Sequence, residues 1–269
     1  MDFNTKVKLG RTGLQVGRLG ISSSYGATTQ AFEEAFEKGC NYFTWGTFIK
    51  GRSNEMLTAI KNIIAKGQRQ ELFIAYLTYA HNAFLTEAFL KKNLKALGTN
   101  YLDILVLGYY PKRPSQKILD GALKLKKQGM VHFLGLTSHN RAVFSKLHKE
   151  GSFDLFHIRY NAVHRGAETD TFPYLTGEDR TGIVSFTATC WRRLLNPKKM
   201  PPGEEPLTAR DCYRFVLSNP NVDVCMVGTK NIQQMRENLQ VLDSGPMTEA
   251  ELTRMRKIGD YIYGKPVLK

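Results

Sequence analysis

With 269 residues, 42% of them hydrophobic and 23% charged, the chain can bury a full globular core as one large unit or two small ones. No apolar run approaches the ~18 residues that would span a bilayer, and the first residues, Met1 to Arg11, are polar; a membrane partner and an export signal are therefore not expected, and a cytoplasmic location is. The formal charge of +14 is spread over the polar faces of helices without zinc-finger or ribonucleoprotein spacing, so a small-molecule ligand is expected rather than nucleic acid.

The first element, from Lys8 to Gly20, alternates apolar and polar residues around Arg11-Thr12-Gly13 and reads as a β-hairpin that serves as a lid. A regular alternation follows. Short β-branched or aromatic runs at Arg18–Ser22, Tyr42–Trp45, Leu72–Leu77, Tyr101–Gly108, His132–Thr137, Leu155–Tyr160, Ile183–Ala188 and Val222–Val227 read as strands. Between them, Thr29–Lys38, Asn54–Lys66, Thr86–Leu97, Gln116–Gln128, Arg141–Glu150 and Ala209–Leu217 carry apolar residues at helical spacing, and Gly39, Gly67, Gly98, Gly129 and Gly151 mark helix ends. The connection Asp170–Asp179 is weakly helical, and helices at Asn231–Leu242 and Glu249–Ile262 complete the chain. Cys40, Cys190, Cys212 and Cys225 lie far apart, without a Cys-x-x-Cys pair, and read as buried free thiols; no metal site is expected.

Eight strand–helix units without a composition break predict an α/β fold, a single (β/α)8 TIM barrel over residues 1–269 with an N-terminal β-hairpin and a C-terminal extra helix. In such a barrel the working face lies at the C-terminal ends of the strands. Those ends hold few charged groups, and Thr44, in the second mouth, has no carboxylate beside it in sequence.

The segments Leu-Gly-Arg-Thr-Gly-Leu-Gln-Val at residues 9–16, Gly-x-Asn-Tyr-Phe at 39–43, Leu-Gly-Thr-Asn-Tyr-Leu-Asp at 97–103, Arg-Tyr-Asn-x-x-His-Arg at 159–165 and Val-Gly-Thr-Lys-Asn-x-x-Gln-x-x-Glu-Asn at 227–238 together resemble the aldo-keto reductases. The resemblance implies a nicotinamide cofactor, NADP(H), held across the barrel mouth, and carbonyl reduction by an aspartate, a tyrosine, a lysine and a histidine. Here those four places hold Thr44, Phe48, Leu77 and Gly108. A phenylalanine cannot protonate a carbonyl oxygen, and losing a positioned general acid forfeits roughly 10²–10⁴-fold in rate.

The cofactor end departs less. The resemblance places Ser138 and His157 at the carboxamide, Phe186 against the nicotinamide ring, Thr187, Thr189 and Trp191 along the diphosphate, and Gly228, Thr229, Lys230, Gln234, Glu237 and Asn238 at the adenosine end. A helix start after Gly228 suits an anion such as a 2′-phosphate. Tyr76, Tyr109 and His139 stand near the vacated positions and are the candidates for a relocated acid and its tuning partner. Arg159, with no external anion evident, is expected to pair internally with an acid. The expectation is an atypical NADP(H)-dependent oxidoreductase acting on a small-molecule substrate at the barrel mouth. The alternatives are a catalytically silent cofactor-sensing or protein-binding subunit, and a non-redox lyase or isomerase.

Overall fold

The structure, a computed structural model, describes residues 2–46 and 53–264. A short hairpin, β1 (Val7–Lys8) and β2 (Gln15–Val16), precedes the barrel strands β3 (Leu19–Ser22), β4 (Tyr42–Trp45), β5 (Phe73–Thr78), β6 (Leu102–Leu107), β7 (Val131–Ser138), β8 (Leu155–Arg159), β9 (Gly182–Phe186) and β10 (Val224–Val227). These last eight form a closed parallel barrel in chain order, with β10 pairing back onto β3. The outer layer is α1 (Thr29–Glu37), α2 (Asn54–Ala65), α3 (Ala83–Leu97), α4 (Gln116–Lys127), α5 (Ala142–Glu150), the single turn α6 (Ala167–Asp170), α7 (Ala209–Leu217) and α8 (Ile232–Leu239), followed by α9 (Glu249–Tyr263). The weakly helical connection lies earlier than the sequence suggests, at α6, because Pro173 allows only a 3₁₀ turn over Phe172–Tyr174 beyond it.

Side chains alternate across the barrel wall with period two. Tyr42, Ala75, Ile104, Val106, Leu155, Val184, Val224 and Met226 fill the interior, whereas Phe43, Trp45, Ile74, Tyr76, Leu105 and Phe156 pack against the helices. Each fully buried large apolar side chain stabilises the fold by about 1.5–3 kcal/mol relative to exposure.

At the N-terminal end of the barrel every second strand repeats one device. Asn41, just before β4, accepts the Gly17 N–H at 2.9 Å, and Asp103 in β6 accepts the Ile74 N–H at 2.8 Å. Asp154 before β8 and Asp223 before β10 accept the N–H groups of Leu134 and Ile183, each at 2.8 Å. The three carboxylates are also paired with a cation preceding the neighbouring strand: Arg69, Lys126 and Arg180, respectively. Backbone donors that start an edge of the barrel are thereby satisfied in the interior.

The N-terminal hairpin closes this same end. Leu9 and Val16 join the interior cluster, and Gly10, at φ +46°, lies so close to Gly182 that a Cβ would sit 2.2 Å from its nitrogen. It is a plug under the barrel floor rather than a lid over the mouth. All four cysteines are buried and free. Among the described residues no helix is long and apolar enough to cross a membrane.

Candidate active site

The opposite, C-terminal end of the barrel opens into a cavity of about 870 Å³, at the upper end of small-molecule sites. Its floor is the end of the period-two interior: Thr44 from β4, Leu77 from β5, Thr137 from β7, His157 from β8, Phe186 from β9 and Met226 from β10. Thr44 is buried with its hydroxyl 3.6 Å from the Met226 sulfur. His157 is buried and its Nε2 lies 2.8 Å from the Tyr42 hydroxyl. Burial lowers the His157 pKa to about 3 and raises that of Tyr42 well above the ordinary phenol range, so both are neutral at pH 7. This pair is a satisfied polar contact in the floor, with no charge to lend to a reaction.

The rim is aromatic. Tyr109 follows β6 at φ 57°, and its ring meets His139 at 5.4 Å, edge to face; His139 meets Phe186 at 5.8 Å in the same manner. The Tyr109–His139 contact is ring to ring, not a hydrogen bond. Partial burial and the positive charge of Arg159 lower the pKa of His139, which keeps it neutral. Two further tyrosines line the rim: Tyr25, which the sequence reading did not reach, and Tyr79, which it placed at the third strand mouth but not among the catalytic candidates. Tyr79 was legible in principle, since it lies two residues beyond the inward-facing Leu77 and therefore on the same side of the wall. The same parity turns Tyr76 away. It is buried in the layer between barrel and helices, 6.1 Å from the Trp45 ring, and does not reach the cavity.

Gly108 is covered. A Cβ there would lie 2.6 Å from the Thr78 carbonyl oxygen and 2.8 Å from the Tyr79 ring, and the Gly108 carbonyl contacts His81 Nε2 at 2.9 Å. Thr44 and Leu77 line the cavity, and neither can transfer a proton at neutral pH. Phe48 lies outside the described residues.

The side of the cavity formed by β9, β10 and α8 gathers Thr187, Thr189, Trp191, Gly228, Lys230, Gln234, Glu237 and Asn238 around one space. The loop after β9 holds Thr187, Cys190, Trp191 and Arg192 at positive φ, between 50° and 67°. Such left-handed backbone is costly for residues with side chains, and it concentrates at binding sites. Asn231 caps α8 by accepting the Gln234 N–H at 2.9 Å, and the Gln234 side chain accepts the Lys230 N–H at 3.1 Å. Lys230 has no carboxylate partner among the described residues. Two expected ligands do not line the cavity. Ser138 is buried within its own turn, accepting the Asn140 N–H at 3.0 Å, and Thr229 is buried beside the cavity with no hydrogen-bond partner for its hydroxyl. Gly228 is bare backbone beneath the Tyr25 ring, which a Cβ would meet at 2.1 Å.

The sequence profile of the Aldo/keto reductase family matches residues 12–188, from the hairpin to the loop after β9. The chain belongs to this family. A curated relative, the uncharacterized oxidoreductase YqkF of Bacillus subtilis (strain 168), is 23% identical, with 93% of this chain and 95% of the relative covered. Among solved structures, the holo form of aldo-keto reductase AKR11C1 from Bacillus halodurans superposes with a TM-score of 0.78 at 19% identity, covering 94% of this chain and 96% of that one. The thermostable aldo-keto reductase Tm1743 in complex with the inhibitor epalrestat gives 0.74 at 19% identity, with 94% and 99% covered. Relative to the family pattern, then, the described mouth lacks a proton-transfer group at Thr44, Leu77 and Gly108 while keeping a wall of polar and aromatic residues from β9 to α8.

Proposed function

We propose that this aldo-keto reductase-family chain binds NADP(H) across the barrel mouth and is an atypical oxidoreductase whose redox site is rearranged. The observation that carries this reading is the asymmetry of one cavity: its β9–α8 wall gathers hydroxyl, amide and aromatic groups with Lys230, which suit a dinucleotide, whereas the described positions expected to tune the acid hold Thr44, Leu77 and the covered Gly108. Gln234, Glu237 and Asn238 on one side of α8 offer polar groups to the adenosine end. Phe186 offers a ring face to the nicotinamide, Thr187 and Thr189 offer hydroxyls to the diphosphate, and Lys230 offers charge to a 2′-phosphate.

NADP(H), when bound, supplies a hydride. The chain's own part is to hold the substrate against Phe186, to exclude water with the rim tyrosines and to place a proton donor. Tyr109 is the exposed phenol next to that ring row, with neutral His139 packed against it. A second reading, a silent cofactor-sensing subunit, is favoured by the absence of a hydrogen bond between Tyr109 and His139.

Fluorescence titration of the purified chain with NADPH, NADP and NAD tests the binding step. Saturation by the phosphorylated forms is expected, and no binding at millimolar cofactor would leave only non-redox chemistry. Single-turnover oxidation of bound NADPH by aldehydes, ketones and quinones separates the two redox readings. Turnover lost in Tyr109→Phe supports the rearranged site; turnover intact in that variant removes Tyr109 from it; no turnover with any acceptor selects the silent reading.

A further inference from the structure

We infer that Arg159 is the centre of an anion subsite on the β7–β8 side of the mouth, one that takes a carboxylate or other oxyanion carried by the substrate. Arg159 ends β8 with the inward parity of Leu155 and His157, and it is paired in register with Phe186; it stands just behind the cavity lining, against Trp191, which belongs to that lining. The sequence led to the expectation of an internal acid as its partner, and no carboxylate pairs with it among the described residues. Among the described residues, every other arginine that is half-buried has a carboxylate, carbonyl or hydroxyl acceptor: Asp170 for Arg141, Asp260 for Arg165, Asp223 for Arg180, and the Ile262 carbonyl for Arg193 are the neighbouring cases. Arg159 has only the face of Trp191, 5.7 Å from its guanidinium carbon.

Its surroundings make the unpaired charge costly. The titratable groups that bear on it are Arg141, which is itself paired with Asp170, together with His139, His164, the Cys190 thiol and the Tyr263 hydroxyl; none of them is a carboxylate in contact with it. A half-buried cation without an acceptor, next to another cation, destabilises a fold and is retained where a ligand supplies the missing charge. Trp191 is itself held at φ 52° within the left-handed run that follows β9, so the ring covering Arg159 is positioned at a backbone cost. A guanidinium stacked through one face keeps its in-plane donors for a planar, bidentate acceptor, which a carboxylate matches. The subsite is separate from the adenosine end, since β9 and β10 lie between Arg159 and α8. The net charge of +14 favours anionic ligands over the whole approach.

Benzoate, titrated at constant ionic strength without any dinucleotide, tests the inference independently of cofactor binding. The readout is intrinsic fluorescence, because Trp191 is exposed and the other tryptophan, Trp45, is buried. A saturable change is expected in the wild type, with affinity at least about tenfold weaker in Arg159→Met, intermediate in Arg159→Lys and unchanged in Lys230→Gln. Arg159→Met is also expected to melt no lower than the wild type, since it removes an uncompensated charge; if it fails to fold, Arg159→Lys carries the comparison. No saturation in the wild type, or equal affinity in Arg159→Met and the wild type, overturns the subsite. Phosphate binding displaced by NADPH and weakened equally by both Arg159→Met and Lys230→Gln would assign Arg159 to the cofactor's phosphates and overturn the assignment to substrate.

Discussion

At Gly108 the backbone leaves no space for the histidine that the family resemblance places there. Two obstacles differ in kind: the Tyr79 ring is a movable side chain, whereas the Thr78 carbonyl oxygen belongs to the barrel wall. Gly108→His is therefore expected to destabilise the protein by about 1–3 kcal/mol through overpacking, measured by chemical denaturation. Adding Tyr79→Ala recovers only part of that loss, because the carbonyl stays. By the same argument, restoring Asp and Lys at Thr44 and Leu77 together with Gly108→His does not install aldehyde reduction, which a standard NADPH-oxidation assay checks. The glycine at 108 is thus built into the packing of Thr78 and Tyr79 around it. Sequence comparison alone finds the absent histidine but not the ring that occupies its place.

At the scale of elements, strand and helix limits were legible to within a residue or two in most cases, because β-branched runs alternate with helical spacing and the glycines at 39, 67, 98, 129 and 151 all adopt positive φ at helix ends. What was not legible is long-range pairing. Asn41, Asp103, Asp154 and Asp223 share one role, but their unequal spacing hides the repeat, and nothing local distinguishes them from surface polar residues. Parity decides between Tyr76 and Tyr79, and it follows from the sequence once Leu77 is set facing inward. The repeated device makes a graded prediction. Asp103 and its partner Arg69 are both largely buried, at 7% and 12% side-chain exposure, whereas the Lys126 partner of Asp154 is 37% exposed. Asp103→Ala, which strands the Ile74 N–H and leaves the buried Arg69 with only the Leu72 and Tyr101 carbonyls, is expected to cost about 3–5 kcal/mol. Asp154→Ala costs about 1–2 kcal/mol, since water can replace part of the lost pairing. Equilibrium denaturation of the two variants checks the order, and equal losses would mean that the paired strands, rather than the buried cations, set the cost.

For the whole molecule, the histidines point one way. His139, His148, His157 and His164 all have pKa values below the ordinary 6.5, first because of burial, with nearby arginines adding to the effect at His139, His148 and His164. His148 illustrates the geometry: Arg11 approaches its Nδ1 at 3.2 Å, joining the N-terminal plug to α5, and that nitrogen can accept only while it is unprotonated. A folded state that holds a histidine below its unfolded pKa binds fewer protons than the unfolded chain. The resulting stability is fully present above pH 6.5 and is lost as pH falls through the folded values, about 4 for His164 and about 3 for His157. With a net charge already at +14, each added proton also increases repulsion in the compact state. The melting temperature is therefore expected to be level just above pH 6.5 and to decline steadily from there toward pH 3. His157, whose pKa burial lowers furthest, supplies the deepest part of that decline. His157→Gln keeps a hydrogen-bonding group for the Tyr42 hydroxyl but has no proton to take up, so its stability should fall less steeply between pH 5 and 3 than that of the wild type. Parallel acid limbs in the two proteins would show that Tyr42–His157 opens to water before it titrates, and would move the acid sensitivity to the His148–Arg11 contact that secures the plug.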